Sequence, residues 1–322
     1  MNKLYKDFSL AAVLLFALAA TAQSAPAKHA STTSEKFSGA RALELTGKFV
    51  AIGPRWIGSD GHAKAEEFIK QQLTTEAVRG WLETDAFTAN TPIGPQNMRN
   101  YIVRYPGKKD GVIVLVSHYE TNYPLRTINF VGANDGGSST GLLLEIAGLL
   151  RTQTPGGKLL DGYSIWLVFD DGEEAIKTWN VNSDALYGTR HLAAKWQNDG
   201  TLGKIKALMV DDMTGDKDLD ISRDSNSTPW LEDLIYQAAK NTGHAPYFFA
   251  STNAFEDDHL PFVKRGVPSA DILDLNYGPP TQEHPEGGYH HTALDTMDKI
   301  SAHSLQVTGD VIMETIRLLD QK

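Results

Sequence analysis

Residues 112–120, Val-Ile-Val-Leu-Val-Ser-His-Tyr-Glu, and residues 163–174, Tyr-Ser-Ile-Trp-Leu-Val-Phe-Asp-Asp-Gly-Glu-Glu, frame the segment that decides the fold. Each starts as a short apolar, β-rich run and ends in His or carboxylate side chains. Between them, residues 138–150 carry Leu142, Leu143, Ile146, Leu149 and Leu150 on one helical stripe. Strand, loop, helix, strand is the rhythm of parallel strands joined by a covering helix. The same reading predicts strands over 101–105, 207–210 and 269–275, and helices over 37–52, 61–73, 230–240 and 302–319. The expected class is α/β, with three layers and a largely parallel central sheet flanked by helices.

The chain has 322 residues, 41% of them hydrophobic, which suits one large core better than two. Lys3 and Lys6 precede an apolar run over residues 10–20, and Ala20-Thr21-Ala22 offers a small-residue cleavage site. That run is about half the roughly 20 residues a spanning helix needs. Residues 1–22 therefore read as a signal peptide, 23–36 as a flexible mature N-terminus and 37–322 as a single catalytic domain. An exported protein, periplasmic or secreted, is expected, without stable membrane insertion after cleavage. The absence of cysteine excludes disulfides and thiolate ligands, leaving His and carboxylates for any metal. A net charge of -10 argues against nucleic acid as a partner, since no basic stripe is available to meet phosphates.

Ligands of doubly wound sheets bind beyond the carboxyl ends of the strands. Here one strand runs into His118, another into Asp170-Asp171-Gly172-Glu173-Glu174 and a third into Asp211-Asp212, while Asp135 lies in the loop before the 138–150 helix. A lone acidic residue after a strand is most often a helix cap. Four converging loops of carboxylate and imidazole instead point to a bound cation, because like charges crowd together only when neutralised. Zinc accepts this donor set and leaves a position open in catalytic sites. Adjacent residues of extended chain point to opposite sides, so one of Glu173 and Glu174 can ligate while the other acts as a general base.

These motifs resemble the M28 family of zinc aminopeptidases and the zinc-dependent, animal-type glutaminyl cyclases built on the same fold. The shared positions are His118, the Gly132-Ala133-Asn134-Asp135 loop, Glu173 with Glu174, Asp212, and His291-Thr292. The resemblance implies metal ligation by Asp135, Glu174 and His291. One zinc is expected for a cyclase. An aminopeptidase would hold two, with His118 and Asp212 completing the second site. Two stretches favour the cyclase: residues 175–193, with Trp179 as a pocket wall, and residues 256–268, where Asp257 matches a catalytic Asp. The resemblance implies that Glu173, Asp257 and Asp212 carry the proton chemistry and that Trp179, His290 and Glu256 line the substrate pocket. His290, Glu256 and Asp271 depart from the animal pattern, which carries Trp, Gln and His there.

The implied activity is cyclisation of the N-terminal glutamine of peptides and proteins to pyroglutamate by a monomer. A two-zinc aminopeptidase and a non-catalytic binding module are the alternatives. His191 and His259 read as core or capping residues, His284 and His303 as surface, and Trp166 and Trp196 as core. Asn226-Ser227-Thr228 matches a glycosylation sequon.

Overall fold

The computed structural model describes residues 36–285 and 287–322. The expected signal peptide, and all but the last residue of the expected flexible segment, lie outside the described residues. In chain order the elements are α1 (Gly39–Val50), α2 (Asp60–Gln72), α3 (Thr74–Val78), β1 (Leu82–Thr91), β2 (Gly94–Tyr105), β3 (Gly107–His118), α4 (Gly137–Gln153) and β4 (Leu160–Asp170). They continue with α5 (Tyr187–Asn198), β5 (Ile205–Asp212), β6 (Ile221–Asp224), α6 (Pro229–Thr242), β7 (Phe248–Asn253), α7 (Leu260–Val263), β8 (Ser269–Leu273) and α8 (Ala302–Leu319).

Six strands form one sheet in the order β1-β2-β4-β3-β5-β8, and β6 and β7 pair separately. β4, β3, β5 and β8 are mutually parallel, whereas β1 and β2 add an antiparallel edge. The expected three-layer fold is present. Its antiparallel edge and the small β6–β7 pair are additions, and the strand expected over 269–275 ends at Leu273.

β3 shows why the central strands were legible. Ile113 and Leu115 face the large core with α1, α4, α6 and α8, while Val112, Val114 and Val116 face a second core with Leu192, Trp196 and Phe262. A strand buried on both faces is apolar throughout. β1 instead lies at an edge with mostly polar positions, few of them buried, so its pattern blends into loop. Gly141 brings α4 close to α1: a Cβ there would lie 2.1 Å from Thr46 Oγ1.

Because α4 lies on one face of the sheet and α5 on the other, the chain reverses direction around β3. The crevice this creates opens at the carboxyl ends of β3 and β5, the switch point where such folds bind ligands. His118 closes β3 and Asp212 closes β5. Among the described residues no helix is long and apolar enough to cross a membrane.

Candidate active site

Asp135 sits at the centre of the crevice, with its two oxygens facing different partners. Oδ2 lies 3.3 Å from His291 Nε2, which is itself 3.0 Å from Glu174 Oε1. Oδ1 lies 3.1 Å from His118 Nε2, which is 3.3 Å from Asp212 Oδ1. Ligands held at about 2.0 Å from a tetrahedral ion stand about 3.3 Å apart. The distances to His291 and to His118 match that spacing, and Asp135 comes close enough to hold an ion both with His118 and Asp212 and with His290 and His291. Asp135 Oδ2, Asp212 Oδ1 and both ring nitrogens of His118 are buried without a hydrogen-bond partner. A cation would satisfy atoms otherwise costly to bury. His290 lies against the same group, its ring centroid 3.9 Å from that of His291.

The electrostatics agree. Burial disfavours charge on both histidines, yet Asp212 and Asp135 lift His118, and Glu174 and Asp135 lift His291, well above the usual imidazole range. Burial likewise opposes ionisation of Asp135, but His118 and His291 hold it well below the carboxylate range. Such a site favours positive charge among its anionic donors.

Several residues outside the predicted set build the frame. Asp295 accepts hydrogen bonds from the backbone N–H of Asn134 (2.8 Å) and of Asp135 (3.2 Å), and from the Tyr277 hydroxyl (2.7 Å). It thereby ties the loop of His291 to the loop of Asp135. Asn122 Nδ2 donates to Glu174 Oε2 at 2.7 Å, and the Glu174 N–H donates to Glu120 Oε1 at 3.0 Å. Arg55, fully buried, donates to the carbonyls of Tyr119, Val131 and Gly132. Burial brings its guanidinium down to about 10, with Asp135 and Asp295 opposing. His62 lies 2.8 Å from Asp171 Oδ1, whose other oxygen accepts from the Arg99 N–H. Spacing alone could have flagged only Asp295, four residues past His291.

His291 (φ 54°) and Met213 (φ 55°), which follows Asp212, adopt left-handed backbone. Non-glycine residues hold such angles at a cost of order 1–3 kcal/mol, usually at functional sites. Gly136 is left-handed too, and a Cβ there would stand 2.8 Å from His118 Cε1.

Glu173 and Glu174 correct one expectation. β4 ends at Asp170 and Gly172 turns the chain with φ 83°, so the two do not alternate along a strand. Both instead line one cavity of about 330 Å³ with Asp135, Trp179, Asp212, Glu256, Asp257, His290 and His291. Burial pushes Glu173 well above the usual carboxylate range; His118 opposes this, while Glu174, Asp257 and Asp258 add to it. Asp257 is raised to about 6, by burial first and then by Asp212. Every predicted site residue except His118 lines this cavity, and His118 lies directly behind Asp135 and Asp212.

Some further expectations change. His259 is buried in the core, but its ring stands between two carboxylates, Nε2 3.0 Å from Asp224 Oδ2 and Nδ1 3.8 Å from Asp271 Oδ2. His191 stacks on Phe87 at 4.2 Å and stays outside the metal groups. Trp196 is core, but Trp166 is only partly buried, with Arg104 over its ring; His303 is exposed and His284 half-buried. In the sequon, Asn226 Nδ2 already donates to the Phe255 carbonyl at 2.6 Å, which makes its amide a loop tie.

Comparison with known proteins places this geometry in a family. The model of peptidase family M28 matches residues 100–316. The glutaminyl-peptide cyclotransferase of Drosophila melanogaster is 29% identical over 246 residues, spanning 70% of this chain and 68% of that protein. The crystal structure of an Acidobacteriales bacterium glutaminyl cyclase superposes with a TM-score of 0.86 at 62% identity, covering 93% of this chain and 99% of that one. A Zn-dependent exopeptidase from Parabacteroides distasonis shares the fold at a TM-score of 0.74 and 22% identity, covering 90% of this chain and 100% of its own. With two thirds of its length matched by the family and near-complete coverage by the bacterial enzyme, the chain belongs to peptidase family M28, in its glutaminyl cyclase branch.

Proposed function

We propose that this protein cyclises the N-terminal glutamine of peptides and proteins to pyroglutamate, releasing ammonia, with one zinc ion held by Asp135, Glu174 and His291. The observation that carries the reading is 62% identity over 93% of the chain to a glutaminyl cyclase. Glu173 supports it: buried beside the ligand set, with its carboxyl raised above the usual range by that burial, it suits a general base. Zinc bound there supplies Lewis-acid polarisation of the γ-carboxamide oxygen.

The rest is done by the chain's own residues. The cavity holds one glutamine side chain folded back so that the α-nitrogen faces the carbon of the γ-carboxamide (Cδ), and the tethered nucleophile needs little beyond positioning. As the C–N bond forms, Glu173 takes a proton from the α-amine and returns it to the departing nitrogen, which leaves as ammonia. Asp257 and Asp212, close enough to influence each other's charge, hold the hydrogen bonds of the amine and the amide. Trp179, 38% exposed at the rim, packs against the alkyl part of the substrate. We further infer export through residues 1–22, a single catalytic domain and a monomeric state.

A second reading, the two-zinc aminopeptidase, is favoured by the metal-like spacing of His118 and Asp212 to Asp135. Mass spectrometry of a Gln-initiated dipeptide distinguishes them. Loss of ammonia with the peptide bond intact supports cyclisation, whereas appearance of free glutamine overturns it.

A further inference from the structure

Glu256 is an exposed carboxylate at the rim of the cavity, and the indole N–H of Trp179 donates to its Oε2 at 3.3 Å. The hydrogen bond fixes the carboxylate beside the opening instead of leaving it to sweep through solvent. The lining of this cavity contains Glu173, Asp212, Glu256 and Asp257 beyond the proposed ligands, and neither Lys nor Arg. A divalent ion held by Asp135 and Glu174 is matched by their two charges, so the rim keeps the sign set by Glu256. On the cyclase reading the glutamine takes the depth of the cavity, which would send the residue after it past Trp179 and Glu256 in the lining. One-signed charge around a low-dielectric mouth concentrates opposite charge there.

We propose that Glu256, held by Trp179, selects peptides carrying Lys or Arg immediately after the N-terminal glutamine and disfavours Asp or Glu there. The inference rests on the cyclase reading and adds a substrate class to it. Carboxylate–cation attraction at a partly open rim acts mainly on encounter and binding, so the preference belongs in KM and weakens with salt.

The test measures ammonia release from Gln-Lys, Gln-Ala and Gln-Glu amides with the zinc-loaded full-length enzyme. At low salt, kcat/KM should favour Gln-Lys over Gln-Glu by about fivefold, a few kT of rim potential being ample for this. The ratio should contract in about 0.5 M salt, where the screening length shrinks to several ångströms. Glu256→Gln should bring the ratio close to unity and Glu256→Lys should invert it. Trp179→Phe, which removes the N–H donor together with part of the ring, should lower this Lys/Glu ratio, whatever it does to the rate on all three peptides. Equal kcat/KM for the Lys and Glu peptides, or a ratio unchanged in Glu256→Gln, overturns the inference alone. Ammonia release from none of the three peptides overturns the cyclase reading and the inference with it.

Discussion

Asp135 joins two half-sites of similar spacing and different surroundings. On one side His291, its side chain 29% exposed, meets Glu174 at the edge of the cavity. On the other, His118, only 2% exposed, lies behind the cavity lining and meets Asp212, which is part of that lining. The distances are nearly the same, so distance alone does not tell a metal site that works on substrate from one that does not. Access does. A ligand at the cavity can share its ion with a substrate atom, whereas His118, shut behind the lining, can only hold charge and orient Asp135 and Asp212.

The largest expected effect comes from the shared residue. Asp135→Ala should abolish zinc binding and lower activity by about a thousandfold or more, as loss of a ligand to a catalytic ion does. His291→Ala should do nearly the same. His118→Ala should retain close to one zinc per chain, measured by atomic emission, and lose only part of its activity. If His118→Ala empties the site while His291→Ala does not, the assignment of the two halves is reversed.

Asp295→Ala comes next. It frees the N–H groups of Asn134 and Asp135 and loosens the loop that carries Asp135. Partners that orient ligands typically change metal affinity by about 10–100-fold, and a chelator competition should read a shift of that order. Tyr277→Phe removes one of the three hydrogen bonds and should shift affinity less.

The smallest effect lies outside both halves and calibrates the background. Burial pushes Asp274 up to about 7, whereas an unfolded aspartate titrates near 3.9. A group raised on folding contributes stability that is full below the unfolded value and is lost as pH rises through the folded one. Melting of the metal-free protein should therefore fall from about pH 4 to pH 7, the window between those two values. Asp274→Asn should flatten part of that slope. A slope that Asp274→Asn leaves unchanged would place the pH dependence in the site itself.

The parallel half of the sheet was legible because β3 and β4 are buried and apolar and end in His118 and Asp170, where chemistry collects in this topology. The β1–β2 edge was not, because a partly solvated hairpin carries no strong pattern over Leu82–Thr91. The same division runs through the site. Asp135, Glu174 and His291 stand in recognisable motifs, and the structure brings them within 3.0–3.3 Å around His291 Nε2. Arg55, Asn122 and Asp295 act through contacts far apart in sequence, such as the 160-residue separation between Asp295 and Asp135; only Asp295, four residues past His291, stands near a recognisable motif, and no local spacing announces the other two. The placement of Glu173 was misread for a local reason, since Gly172 turned what looked like strand into a loop.

The most direct test of the account separates the proton carrier from the metal. Glu173→Gln should keep the fold and the zinc of the wild type while ammonia release from a Gln-initiated dipeptide falls by about a thousandfold, within the usual range for losing a general base. A Glu173→Gln enzyme that holds its zinc and turns over at close to the wild-type rate would contradict it.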